Sequence, residues 1–266
     1  MENKIAIIGG GNLGSSIAEG LIASGFIKPH HITVTKRNVQ SIQHLADKGV
    51  RITSDNIAAI KDAHYIILAV KPFQIKDILT EMIPALDSNQ HSIISVATGV
   101  WIKDMETILG ANFALLRAMP NTAIAIGQSM TCICANAKAV KQVEFVSSLF
   151  NQLGKSIVID EKLMDAAAVL GACGTAYALR YIRANIQGGI EIGFSAAQAS
   201  LIAAQTVKGA ADLLLTKNTH PEQEIDKVTT PMGCTIAGLN EMEHQGFSSS
   251  LIRGLTASYK KIKSDM

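Results

Sequence analysis

An apolar run at residues 4–8, KIAII, stops at Gly9-x-Gly11-x-x-Gly14, and a segment with helical spacing begins at once. No other feature restricts the fold as strongly, because three glycines at this spacing acquire their meaning inside a strand, turn and helix. Gly9 permits the tight turn, Gly11 lets an anionic ligand approach the backbone, and Gly14 lets the helix lie close against the strand. Leu13, Ile17, Leu21 and Ile22 share one helical face, so strand and helix can share a core. The pattern then repeats. ITVTKR (32–37), YIILAV (65–70) and SIISVAT (92–98) read as strands separated by helical stretches, which implies a parallel sheet with right-handed crossovers. ANFALLRAMP (111–120) and SMTCICA (129–135) extend the sheet, and SIVID (156–160) closes it.

Beyond about residue 162 the strands cease, and Ala, Leu, Ile and Gln recur at 3.6-residue spacing. The longest helical candidate spans 164–193 and is apolar on more than one face, so it requires burial on several sides, including by another subunit. The expected architecture is α/β: a Rossmann-type dinucleotide-binding domain over 1–160, followed by an all-helical substrate-binding and dimerisation domain over 161–266.

Composition narrows the function classes. A chain of 266 residues with 48% hydrophobic residues buries a large core. Its formal net charge of +2 comes from scattered Lys and Arg, with no block to track nucleic acid or an anionic membrane. The first apolar run, of about five residues, is too short for a signal sequence or a spanning helix, so a cytoplasmic location is expected. Cys132, Cys134, Cys173 and Cys234 have no CxxC spacing and no clustered histidines, which points to reduced thiols and no metal site.

At the end of the second strand, where an acidic residue would bond the adenosine ribose, the chain has Thr35-Lys36-Arg37-Asn38. Cations and a hydroxyl there suit a 2′-phosphate, so NADPH is expected over NADH, with NADH possible. LAVKP (68–72) sets Val70 and Lys71 at the carboxyl end of a strand, where ligands of open α/β sheets collect, and Pro72 ends that strand. In RAMPNT (117–122), Arg117, Pro120 and Asn121 form a turn at a strand end.

The ordered set GGGNLG, LAVKP, SVATGV, RAMPNT, GACGTAY, QTVKGAA, HPEQEIDKV and TTPMGCTIAGLNEMEHQGF resembles the pyrroline-5-carboxylate reductase family along essentially the whole chain. The resemblance implies reduction of the cyclic imine Δ1-pyrroline-5-carboxylate by NAD(P)H to L-proline. It also implies a helical domain that interlocks with its dimer partner, often within a larger ring of dimers. The cofactor would be held by Gly9, Gly11, Asn12, Leu13, Gly14, Lys36, Arg37, Asn38, Ala69, Val70, Lys71, Pro72, Ala97, Pro120 and Asn121.

The family's turn close to SPGGTT is Thr230-Pro231-Met232-Gly233-Cys234-Thr235 in this chain. The resemblance makes it the carboxylate site, with Thr235 as the catalytic residue at the ring nitrogen. Residue chemistry points the same way, because Gly233, Cys234 and Thr235 would present unpaired N–H groups at a helix N-terminus. Cys173 and Gly174, from the block matching SGSGPAY, would complete the substrate pocket with Thr230, Met232, Gly233 and Cys234. There the chain departs from the family: GACGTAY lacks two hydroxyls and has Thr175 for proline, while Met232 and Cys234 replace a glycine and a threonine. These changes leave open a divergent paralogue acting on another cyclic imine acid, and a non-catalytic NADP-binding regulator. A β-hydroxyacid reductase would need a lysine within the first helix of the second domain, and Lys162 sits only at that helix's start.

Overall fold

The computed structural model describes residues 3–264. Among them, eight strands form one sheet: β1 (Ile5–Ile8), β2 (Ile32–Thr35), β3 (Arg51–Thr53), β4 (Tyr65–Leu68), β5 (Ser92–Ser95), β6 (Ala114–Met119), β7 (Ser129–Ala135) and β8 (Gly154–Val158). Their spatial order is β3-β2-β1-β4-β5-β6-β7-β8. The first six follow the doubly wound order of dinucleotide-binding folds, whose direction of progression reverses between β1 and β4. The helices are α1 (Asn12–Ala23), α2 (Gln43–Ala46), α3 (Asn56–Ile60), α4 (Ile75–Met82), α5 (Ile102–Leu109), α6 (Val143–Asn151), α7 (Met164–Ala167), α8 (Gly174–Glu191), α9 (Ala196–Lys217), α10 (Pro221–Val228), α11 (Cys234–His244) and α12 (Phe247–Ser264).

The apolar strands are explained by helices on both faces of the sheet. Along β1 the side chains alternate. Ile5 and Ile7 pack with Ile17 and Leu21 of α1 and with Leu149 and Phe150 of α6. Ala6 and Ile8 pack on the other face with Leu79 and Met82 of α4 and Met105 of α5.

Three details differ from the sequence expectation. β3 had no counterpart there, because a three-residue strand with an exposed arginine and two half-buried residues carries almost no hydrophobic pattern. β7 runs antiparallel to β6. Only residues 120–128 join the two strands, fewer than the dozen or so that a parallel crossover requires. Third, the long helical segment from 164 is interrupted by a π-helical turn over Ala168–Cys173.

Contacts divide the described residues into two compact units, one made of residues 3–173 with 262–264, the other Gly174–Lys261. Within the second unit Gly189 packs on Ala199, where an added Cβ would lie 3.1 Å from the alanine Cβ. The Tyr177 hydroxyl meets Ser258 Oγ at 2.6 Å, joining α8 to α12. Only Ala199 and Ala203 are buried in this unit, while Leu201, Leu215 and Ile192 are 72%, 77% and 78% exposed. Helices with so little interior of their own require an outside apolar surface. Among the described residues no helix is long and apolar enough to cross a membrane.

Candidate active site

The glycine turn is fixed by β2 on one side and β4 on the other. The Gly9 and Gly10 N–H groups donate to the Thr35 carbonyl at 3.2 and 2.6 Å, and the Gly9 N–H also reaches Thr35 Oγ1 at 3.3 Å. Gly9 has φ +107°, and a Cβ there would sit 2.5 Å from the Ala69 carbonyl oxygen. A Cβ on Gly14 would lie 2.1 Å from the Gly9 carbonyl oxygen. Both positions therefore exclude side chains because backbone occupies the space. Gly11 is different: nothing lies within 4 Å of where its Cβ would be. It is the N-cap of α1 with no side-chain cap, so the first-turn N–H groups remain available to an anion at the positive end of the helix dipole.

These groups open onto a cavity of about 890 Å³, lined by residues 9–13, 36–38, 69–72 and 96–98 together with others. It lies beyond the carboxyl ends of β1, β2, β4 and β5, at the reversal between β1 and β4 where ligands of such sheets bind. Thus Gly9, Gly11, Asn12, Leu13, Lys36, Arg37, Asn38, Ala69, Val70, Lys71, Pro72 and Ala97 are brought together, with Gly14 packed behind them. Neither Lys36 nor Arg37 forms an ion pair with a carboxylate among the described residues, and Arg37 is exposed. Lys71 donates its backbone N–H to Gln74 Oε1 at 3.2 Å, which closes the turn after β4.

Sequence reasoning missed part of this lining: Ser54, Asn56, Gln74 and Glu81. Thr35, read there only for its hydroxyl, also anchors the glycine turn through its carbonyl. Asn56 opens α3 behind the N-cap Asp55, whose carboxylate accepts from the Ala58 N–H at 3.0 Å. Ser-Asp-Asn ahead of an apolar helix is a capping signal, and it went unused because β3 before it was not recognised.

Pro120 and Asn121 are absent from this lining. Arg117 lies inside β6, 1% exposed, and is not part of a surface turn. Its Nη1 pairs with Glu161 at 3.0 Å, its guanidinium sits 5.2 Å from the Trp101 ring centroid, and the same Glu161 oxygen accepts the Ile102 N–H at 2.7 Å. Lys162, exposed, pairs with Asp160 at 3.2 Å.

In the second unit, Thr230-Pro231-Met232-Gly233 form a closed turn, with the Gly233 N–H donating to the Thr230 carbonyl at 2.9 Å. Proline second and a positive φ third are the marks of a type II turn. Gly233 is therefore not an open donor, contrary to the sequence expectation. The first-turn N–H groups of α11, at Cys234 and Thr235, remain uncapped because the N-cap Gly233 has no side chain. Cys234 is exposed and Thr235 half-buried. A Cβ on Gly233 would approach Thr230 Oγ1 to 2.5 Å and the Thr230 carbonyl oxygen to 3.0 Å, so a side chain there would displace the Thr230 hydroxyl.

Met232 occupies the position of a glycine in the family pattern, and it has φ +60° with its side chain fully exposed. The left-handed conformation costs roughly 1–2 kcal/mol for a residue with a Cβ, and no packing offsets it. Met232→Gly is accordingly expected to leave stability unchanged or raise it by about 0.5 kcal/mol in urea denaturation, whereas Met232→Ile lowers it by about 1 kcal/mol.

Cys173 ends the π-helical turn of the first unit, half-buried, and Gly174 begins α8.

Residues 161–265 match the family model described as pyrroline-5-carboxylate reductase dimerisation, and residues 4–99 match that described as NADP oxidoreductase, coenzyme F420-dependent. The chain is 46% identical to pyrroline-5-carboxylate reductase 1 of Dictyostelium discoideum across 99% of its own length, spanning half the length of that relative. It is 45% identical to pyrroline-5-carboxylate reductase 2 of the same organism, over 98% of this chain and 92% of the relative. Among solved structures, the pyrroline-5-carboxylate reductase of Coxiella burnetii superposes with a TM-score of 0.94 at 31% identity, covering 99% of this chain and 98% of the other. The Plasmodium falciparum pyrroline carboxylate reductase with NADP bound gives 0.86 at 26% identity, covering 99% and 98%. With the likeness running through the glycine turn, the sheet and the helical unit alike, the chain belongs to the pyrroline-5-carboxylate reductase family of NAD(P)H-dependent oxidoreductases.

Proposed function

We propose that this chain reduces Δ1-pyrroline-5-carboxylate to L-proline, with NADPH as the preferred hydride donor and NADH as the weaker alternative. The observation that carries this reading is that one chain has two unlike helix starts without side-chain caps, both suited to anions. One is the glycine turn with its strand-end cations, and the other is the uncapped start of α11 behind Gly233. The first fits a dinucleotide: Gly11 leaves open space for a pyrophosphate, and Lys36 and Arg37 face the cavity without carboxylate partners. Bound there, NADPH supplies a hydride to the imine carbon. The protonated C=N bond is already a strong electrophile, so the chain's contribution is chiefly to position.

The Cys234 and Thr235 N–H groups hold the substrate carboxylate, favoured by hydrogen bonds and by the dipole of the eleven-residue α11. Thr230, Met232 and Gly233 shape the turn that aims those donors, and Cys173 and Gly174 line the pocket. Thr235 Oγ1 orients the proton at the ring nitrogen. Thr235→Val, nearly isosteric, removes that one hydroxyl. It is expected to lower kcat by about 10- to 100-fold, the worth of a hydrogen bond to a charged group, while NADPH affinity measured by fluorescence titration stays put. Unchanged turnover would exclude Thr235 from the mechanism.

The functional unit in this proposal is a dimer or a larger ring of dimers, acting in the cytoplasm. Support for assembly comes from the exposed leucines and isoleucines of α8 and α9 and from the match to the dimerisation model. A second reading, reduction of a six-membered cyclic imine acid, is favoured by one observation only: Cys173, Met232 and Cys234 alter the pocket's hydroxyls and volume. NADPH oxidation with the five- and six-membered imines side by side decides between them. NADPH binding without turnover of either would leave a regulator that retains only the cofactor site.

A further inference from the structure

The π-helical turn Ala168–Cys173 is tied to the end of β6 by one side chain. Asn121 Nδ2 donates to the Gly171 carbonyl at 3.1 Å, across fifty positions of sequence. The rest of Asn121 is also engaged. Its Oδ1 accepts the Ala123 N–H at 3.0 Å, capping the short helix Thr122–Ile126, and its own N–H donates to Ser129 Oγ at 3.0 Å. Ser129 is buried in β7 and is itself 3.3 Å from Thr131 Oγ1. The amide is thus clamped to the sheet at one end and holds the helix at the other. A π-helical turn departs from the regular i→i−4 ladder, so its carbonyls need suitable donors, and such turns occur mostly at functional sites. Here one donor comes from outside the helix. Filling both roles at once demands an amide: an aspartate of the same shape could cap Ala123 but would set an oxygen against the Gly171 carbonyl.

We infer that Asn121 is a positioning residue for the imine substrate, acting by holding the π-helical turn so that Cys173 and Gly174 take their place in the pocket. The inference rests on the reading of those two residues as substrate-binding. It gives Asn121 a task distinct from cofactor contact, in keeping with its place outside the cavity lining and with its occupied polar atoms.

The test is Asn121→Asp in the full chain, with Asn121→Ser as a neutral second variant should the first fold poorly. Opposing two acceptors leaves a hydrogen bond unmade, so the KM for Δ1-pyrroline-5-carboxylate should rise about tenfold while the NADPH dissociation constant changes less than about twofold. Independently of catalysis, iodoacetamide labelling of Cys173, followed by peptide mass spectrometry, should accelerate severalfold as the turn loosens. Cys132 and Cys134 serve as internal controls. Burial pushes both thiols up, Cys134 to about 12 with the nearby Glu161 adding to the effect, so they stay unreactive. Unchanged Cys173 labelling, or NADPH affinity lost with the substrate KM intact, would overturn the inference. Absence of imine turnover in the unmodified protein would instead overturn the functional reading and leave the labelling and titration results to judge Asn121.

Discussion

Gly14→Ala is expected to weaken NADPH binding by more than about 100-fold and to lower the thermal midpoint as well. The added methyl would sit 2.1 Å from the Gly9 carbonyl oxygen, which is backbone and cannot swing aside, and 3.2 Å from Ile7 Cγ2. Helix α1 must therefore move away from β1. That move strains a well-packed core by about 1–3 kcal/mol and carries the first-turn N–H groups out of line with the pyrophosphate. Gly11→Ala supplies the contrast. Its methyl meets nothing in the protein, so stability should be unchanged while the space the ligand needs is filled. Isothermal titration with NADPH beside a thermal melt separates the two. Equal melting losses in both variants would mean that the glycines serve only the fold.

The second large effect is on cofactor choice. Arg37→Glu turns an attraction for the 2′-phosphate into a repulsion, and a charge-assisted phosphate bond is worth about 1.5–3 kcal/mol. KM for NADPH should rise about 100-fold, whereas KM for NADH, which lacks that phosphate, should change less than about threefold. Because Arg37 is exposed, the discrimination should shrink as salt is added. Equal rises for both cofactors would remove the 2′-phosphate from its assigned place.

What could be read from the chain alone was what depends on neighbours in sequence. The glycine turn, the apolar strands and the caged position of Gly14 are local matters, and they stand where the spacing puts them. The direction of β7 was not legible from its own residues, since alternation looks alike in either direction; only the short connection after Met119 decides it. The interruption of the helix at Ala168–Cys173 carries no signal in AVLGAC itself, and the donor that meets its Gly171 carbonyl lies fifty residues away. Thr35 was noticed for its hydroxyl, yet its carbonyl anchors the turn after β1, and a carbonyl is common to every residue type. At the start of α11 the sequence did not show that the Gly233 N–H closes the turn that Pro231 begins, because that bond depends on the positive φ of Met232.

The near absence of buried residues between Gly174 and Lys261 also bears on how the protein comes to be folded at all. A helical unit whose apolar side chains find cover on another copy gains its stability from mass action, so folding and association of that unit are one equilibrium. Dilution alone is then expected to act as a denaturant for Gly174–Lys261, seen as a loss of helical signal at protein concentrations that leave the sheet intact.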